Sequence, residues 1–305
     1  MSKAVVLSGG GPVGIAWETG LAAGLARKGV ILADAQLILG TSAGSSVGAQ
    51  LALGRDLEEQ LARYRSVGTR AAQGSRDAPP GGTGIPGTAA PADRMARLMT
   101  LIGDAMNEGG SPLDARRAVG RFALEADTID EERFVEAFRY LAGEPWPACF
   151  RCTAVDTETG ELRVWDKEAG VELDRAVASS CAVPGVFPPI TLDGRRYMDG
   201  GVRSGASADL AAGHDRVILV TLMGPERQVV PGDDDRLAAM RARAAHEIDT
   251  VREAGGAVEM LAPDKSSAEI MGMNLMDASL GPAAAEAGVA QGEHAADSVR
   301  DFWGP

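Results

Sequence analysis

The chain has 305 residues, 45% of them hydrophobic, enough for a sizeable core in one large domain or two small ones and too many for general disorder. Thirty Lys and Arg stand against 43 Asp and Glu, a net charge of −13, which argues against a nucleic-acid binder and against tight electrostatic docking on anionic lipid. Three cysteines, Cys149, Cys152 and Cys181, do not make a disulfide framework and suit a reducing compartment. The first apolar run breaks into glycines too early for a signal-peptide core, and no run approaches the roughly 18 apolar residues of a membrane span. A cytoplasmic protein is therefore expected.

Residues 4–7 form a short β-branched run that predicts a strand. SGGGPVG follows, and residues 15–28 suit a helix capped by Gly29. A second strand is predicted at 36–39 and a second helix at 43–53. This opening predicts an α/β fold whose parallel sheet is covered by helices. From 66 to 93 Gly, Pro and Ala dominate, which predicts a flexible loop. Three amphipathic helices over 94–106, 113–126 and 131–141 have no strands between them and read as a helical cap (94–143) packed on the sheet. Strands resume at 148–155 and 161–165 around the turn DTETG, a hairpin. A helix at 173–180 leads into CAVPGVFPPI, and a short strand at 196–198 ends in DGG. A buried strand at 216–223, helices over 236–254 and 283–302, and a strand near 257–261 complete a single domain.

Gly40-Thr41-Ser42-Ala43-Gly44 is G-x-S-x-G where the second strand turns into the second helix. In a nucleophile elbow the serine is strained, and side chains two residues to either side would strike the neighbouring strand and helix. A glycine-rich tight turn without chemistry satisfies the same pattern. Residues 9–14, GGGPVG, are G-x-G-x-x-G. A dinucleotide site would need an acidic residue at the end of the second strand, where Leu39 and Gly40 stand instead. An oxyanion hole needs only unshielded N–H groups, which adjacent glycines supply, and a plain strand–helix turn needs neither.

The base is open at this stage. Ser42, Asp199 and His214 follow the chain order of an α/β-hydrolase triad, but that fold places more strands ahead of its serine. His246 and His294 read as surface or capping residues. Asp199 ends a short strand, and Gly200 and Gly201 after it would let its carboxylate approach another backbone closely. The alternative is an Asp-Gly surface turn.

Four segments now stand in one order: GGGPVG, GTSAG, SSCAVPGVFPPI and DGG, with TAVDTETGE between the second and third. Together they resemble the patatin-like phospholipase family, from Val5 to about Leu222. The resemblance implies a three-layer α/β/α fold with a mainly parallel sheet and a Ser–Asp dyad in place of a triad. It carries the nucleophile to Ser42 and the general base to Asp199. Oxyanion donors fall in the loop Gly9, Gly10, Gly11, with Ala43 beside the serine. Gly14, Gly40, Gly44, Gly200 and Gly201 are the motif glycines. One departure is Val13, where the family usually carries Arg or Lys. The implied activity is serine-dependent hydrolysis of a phospholipid or other acyl ester, without cofactor or metal. An acyl-binding protein with little turnover on the same scaffold is the alternative. The implied partners are the lipid or acyl-ester substrate and a transient membrane surface, and no nucleic acid.

Other signals are weaker. Cys149 and Cys152 are spaced C-x-x-C, but residues three apart on a strand face opposite sides and read as structural thiols. Met271, Met273 and Met276 read as core or as a soft acyl-chain contact. Residues 182–190 read equally as a rigid wall of the site or as core. GDDDR at 232–236 reads as a solvated acidic loop.

Overall fold

The computed structural model describes residues 1–72, 111–222 and 234–304. The helix expected at 94–106, loop residues 73–93 and the start of the acidic run at 232–236 lie outside the described residues.

The chain opens with β1 (Lys3–Leu7), α1 (Gly11–Arg27), β2 (Leu37–Thr41), α2 (Ala43–Ala52) and α3 (Leu57–Ala72). Next come α4 (Pro112–Glu125) and α5 (Glu131–Val135), the latter running into a 3-10 helix, Glu136–Leu141. The hairpin β3 (Phe150–Asp156) and β4 (Leu162–Trp165) precedes α6 (Leu173–Ser180), β5 (Ile190–Leu192) and β6 (Arg195–Asp199). β7 (Arg216–Val220), α7 (Asp234–Glu253), β8 (Ala257–Leu261), α8 (Lys265–Met271) and α9 (Gly281–Trp303) complete the order. The sheet runs β5-β6-β3-β2-β1-β7-β8, with β4 also paired to β3. The pairs from β3 through β8 are parallel, and β4, β5 and β6 join antiparallel.

Both faces of the sheet are covered. Along β1, Val5 and Leu7 enter a core with α1, α2, α6 and α9, while Ala4 and Val6 enter a second core with Val251 of α7. This two-sided burial explains why the central strands read as unbroken apolar runs. The two expected cap helices within the described residues pack against these layers. Val119, Phe122 and Ala123 of α4 pack on Val155 and Met198, whereas Phe134 stacks on Phe187 at 4.3 Å in the larger core. Residues 182–190 are accordingly core-packed, with Ala182, Val186 and Phe187 buried.

Three local expectations change. α1 begins at Gly11, four residues before the expected start, because Pro12 is compatible with the first helical turn. α3 runs to Ala72, so residues 66–72, expected in the loop, are helical. β5 and α8 were not anticipated: β5 is three residues long, and α8 seven.

Glu18 was also unmarked by the sequence. It lies in the middle of α1, 1% exposed, and neither carboxylate oxygen has a hydrogen-bond partner among the described residues. Burial pushes its pKa well above the ordinary glutamate value. The folded protein therefore holds this proton to a higher pH than the unfolded chain, and stability falls as pH rises from the unfolded value toward the folded one. Glu18→Gln should raise the melting temperature by a few degrees at pH 8 and change it little at pH 4, measured by calorimetry. Lower stability of the variant at pH 8 would mean that Glu18 has an ionised partner.

Candidate active site

The sheet register brings the two candidate residues into one row. Thr41 pairs with Thr153, and Ala154 pairs with Asp199, so Ser42 and Asp199 flank Ala154 across three strands, β2, β3 and β6. Ser42 leaves β2 at φ 52° and ψ −120°, a region rarely occupied by any residue but glycine. Its crowding explains the glycines two residues away. A Cβ on Gly40 would overlap the Gly44 carbonyl, and one on Gly44 would lie 2.6 Å from Leu7 Cβ and overlap the Leu7 carbonyl of β1.

The backbone of Ser42 is held on both sides. Its N–H donates to Ser180 Oγ at 2.9 Å. Its carbonyl accepts from Ser45 Oγ at 2.7 Å, from Ser45 N–H at 2.9 Å and from Cys181 Sγ at 3.1 Å. The sequence reading missed Ser180 and Cys181, although SSC opens the third of its four segments.

Asp199 is 4% exposed. Oδ1 accepts the Gly201 N–H at 2.7 Å, and the backbone N–H of Asp199 donates to Ala182 O at 3.0 Å. Gly200 permits this bend, since a Cβ there would lie 2.7 Å from the Thr153 carbonyl oxygen and nearer still to Oγ1. Burial pushes the Asp199 carboxyl up to about 6, and the neighbouring Ser42 hydroxyl and Gly201 N–H pull against that rise. Oδ2 nonetheless has no well-formed hydrogen bond among the described residues. The Ser42 hydroxyl is the first neighbour that pulls the carboxyl down, although no well-formed hydrogen bond to Oδ2 joins the two.

The glycine loop lies against the serine turn. The Gly44 N–H donates to Ser8 O at 3.0 Å, and a Cβ on Gly9 would stand 3.3 Å from Ser42 Cβ. Gly9 itself is corrected as an oxyanion donor: its N–H donates to Gly205 O at 2.7 Å. The N–H groups of Gly10, Gly11 and Ala43 have no acceptor among the described residues. They open α1 and α2, whose N-termini converge here and favour negative charge. Gly11 is at φ 58°, and a side chain there would press on Leu275 O and Met276 Sδ, so this corner is closed to larger residues.

The sequence profile of the patatin-like phospholipase family matches residues 5–212. The chain belongs to this family. That membership places it among the lipid acyl hydrolases, and its mainly parallel sheet between helices is the family's fold. Among solved structures it is similar to VipD from Legionella pneumophila, at 16% identity and a TM-score of 0.42, over 97% of this chain and 67% of that one. No curated protein matches.

In this patatin-like chain the histidine alternative has no geometric support. His214 precedes β7, whose first residue pairs with Lys3 at the start of β1, a strand length from the turn that holds Ser42. Its Nδ1 contacts Ala211 O at 3.0 Å. Val13, which stands where the family usually carries a basic residue, is fully buried, and its N–H donates to Leu275 O at 3.2 Å. In the cluster Met271, Met273 and Met276, the first is buried, the second exposed and the third borders the glycine loop. All three cysteines are free thiols. No helix among the described residues is long and apolar enough to cross a membrane.

Proposed function

We propose that this patatin-like protein hydrolyses acyl esters, a phospholipid or another lipid ester, with Ser42 as nucleophile and Asp199 as general base. Asp199 Oδ2 takes the hydroxyl proton as Ser42 Oγ attacks the ester carbonyl carbon. The carbonyl oxygen gains the negative charge and is stabilised by the N–H groups of Gly10, Gly11 and Ala43. The tetrahedral intermediate collapses, the alcohol leaves with the proton from Asp199, and an acyl-Ser42 ester remains. Water, deprotonated by Asp199, then attacks that ester, and the fatty acid leaves as Ser42 recovers its proton. A carboxylate is a weak base toward a serine hydroxyl, so the reaction relies on a buried base whose pKa is already raised toward neutrality.

The observation that carries this reading is the strained Ser42 turn set in one sheet row with the buried Asp199 carboxyl. A fluorophosphonate probe tests it. Wild type is expected to be labelled at Ser42 and Ser42→Ala not at all. Mass spectrometry of fatty acid released from an ester and phospholipid panel should show a loss of about 10³-fold or more in the variant. A wild type that binds acyl chains but takes no label would favour the non-catalytic alternative.

A further inference from the structure

The strain at Ser42 raises the question of what maintains it. A non-glycine residue at φ 52° persists only where its surroundings leave no alternative. We infer that the segment from Ser180 to Ala182 is a bracket that sets the spacing of Ser42 and Asp199, with Ser180 as a positioning residue. The inference rests on the reading of Ser42 as nucleophile and Asp199 as base.

The geometry is that of one short segment serving two distant residues. The Ser42 N–H ends on Ser180 Oγ at 2.9 Å, the Ser42 carbonyl receives Cys181 Sγ at 3.1 Å, and the Asp199 N–H ends on Ala182 O at 3.0 Å. Both candidate residues thus donate their own backbone N–H to the same three-residue stretch. The stretch is itself fixed. Cys181 N–H donates to Val177 O at 3.1 Å, closing the end of α6. One residue earlier, Ser179 Oγ accepts Trp165 Nε1 at 3.0 Å and donates to Ala176 O at 2.7 Å. Ser179, Ser180, Cys181 and Ala182 are all buried, so water does not replace a lost partner.

The partners differ in weight. The Ser42 carbonyl keeps Ser45 Oγ and Ser45 N–H if the Cys181 thiol is removed. The Ser42 N–H sits at the N-terminus of α2, has no helical acceptor, and has Ser180 Oγ as its one partner among the described residues. Without that oxygen the peptide before Ser42 relaxes toward ordinary dihedral angles, and Oγ turns from the carboxyl. Misplacement of a reacting atom by about 1 Å costs on the order of 10²-fold in rate. Substrate binding is expected to persist, because Ser180 is fully buried and its Oγ is engaged by the Ser42 N–H.

The test compares Ser180→Ala, Ser180→Cys and Cys181→Ala with wild type in steady-state ester hydrolysis, with rates divided by the folded fraction. Ser180→Ala should lose about 30- to 100-fold in kcat with KM within about threefold. Ser180→Cys, near-isosteric with a weaker acceptor, should fall between it and wild type. Cys181→Ala should lose less than Ser180→Ala. A fall in KM-insensitive turnover graded by acceptor strength is not produced by general destabilisation. If Ser180→Ala does not fold, the cysteine variant is read in the same way. A kcat for the folded Ser180 variants within threefold of wild type overturns the bracket. Wild type that neither hydrolyses esters nor takes a fluorophosphonate overturns the reading of Ser42 instead, so the two failures are distinct.

Discussion

Asp199→Asn is expected to lose about 10³-fold or more in kcat for ester hydrolysis while the protein stays folded and becomes more stable above pH 6. The substitution keeps the shape of the side chain and an oxygen for the Gly201 N–H, which lies 2.7 Å from Oδ1. It removes the only function proposed for Oδ2, accepting the Ser42 proton. The stability gain follows from the same burial. The carboxyl titrates near 4 in the unfolded chain and at about 6 in the folded one. A raised acid stabilises the fold below the unfolded value, and that contribution is lost between about pH 4 and pH 6. At pH 7 the ionised carboxylate therefore costs on the order of 1–3 kcal/mol, which asparagine avoids. Wild-type kcat/KM should rise with pH through an inflection near 6 as the base ionises. Denaturant melts at pH 5 and 8 and a pH–rate profile check both parts. Activity within tenfold of wild type would remove Asp199 as the base, and a variant less stable at pH 8 would remove the cost assigned to its burial.

Much of the central layer was legible because buried parallel strands leave an unambiguous trace. β1, β2 and β7 appear as short apolar runs, and α6 was read with the bounds found. α3 was missed because its polar sequence LEEQLARYRSVGTRAA carries only Leu57, Leu61 and Tyr64 as a clear apolar stripe and runs into a Gly/Pro-rich stretch. β5 follows two prolines and is too short to show alternation. The site divides in the same way. The proposed nucleophile and base, Ser42 and Asp199, stand out in the sequence because glycines near them are demanded by close backbone: Gly40 by the start of α2, Gly44 by Leu7 of β1 and Gly200 by Thr153 of β3. Gly9 was misjudged because its partner, Gly205 O, lies in a bend that no local pattern announces. Ser180 and Cys181 act on the Ser42 backbone from almost 140 residues away, and neighbouring residues carry no trace of such a bond. Glu18 was invisible for a different reason. α1 is enclosed by α2, α3 and α9 and buried along nearly its whole length, so no polar face exists against which a buried acid stands out.

Gly44→Ala tests whether the elbow depends on space as well as on the serine. A methyl at Gly44 would overlap the Leu7 carbonyl and lie 2.6 Å from Leu7 Cβ. These are backbone and near-backbone atoms of β1, which is hydrogen-bonded to β2 on one side and β7 on the other. No flexible side chain can give way, so α2 must move off the sheet. The expected loss is about 3 kcal/mol or more, at the upper end for overpacking by one carbon. Gly54→Ala is the comparison. Gly54 is at φ 64°, but nothing stands within 4 Å of its Cβ position. It should cost only the conformational penalty of a left-handed alanine, roughly 1–2 kcal/mol. The variants also separate in chemistry. Displacing α2 breaks the Gly44 N–H bond to Ser8 O and draws Ser42 and Ala43 away from the glycine loop, whereas Gly54 lies just past the far end of that helix. Among molecules still folded, Gly44→Ala should label slowly with the fluorophosphonate and Gly54→Ala at the wild-type rate. Equal denaturation midpoints for the two variants would mean that β1 and α2 do not approach as closely at Gly44 as the structure places them.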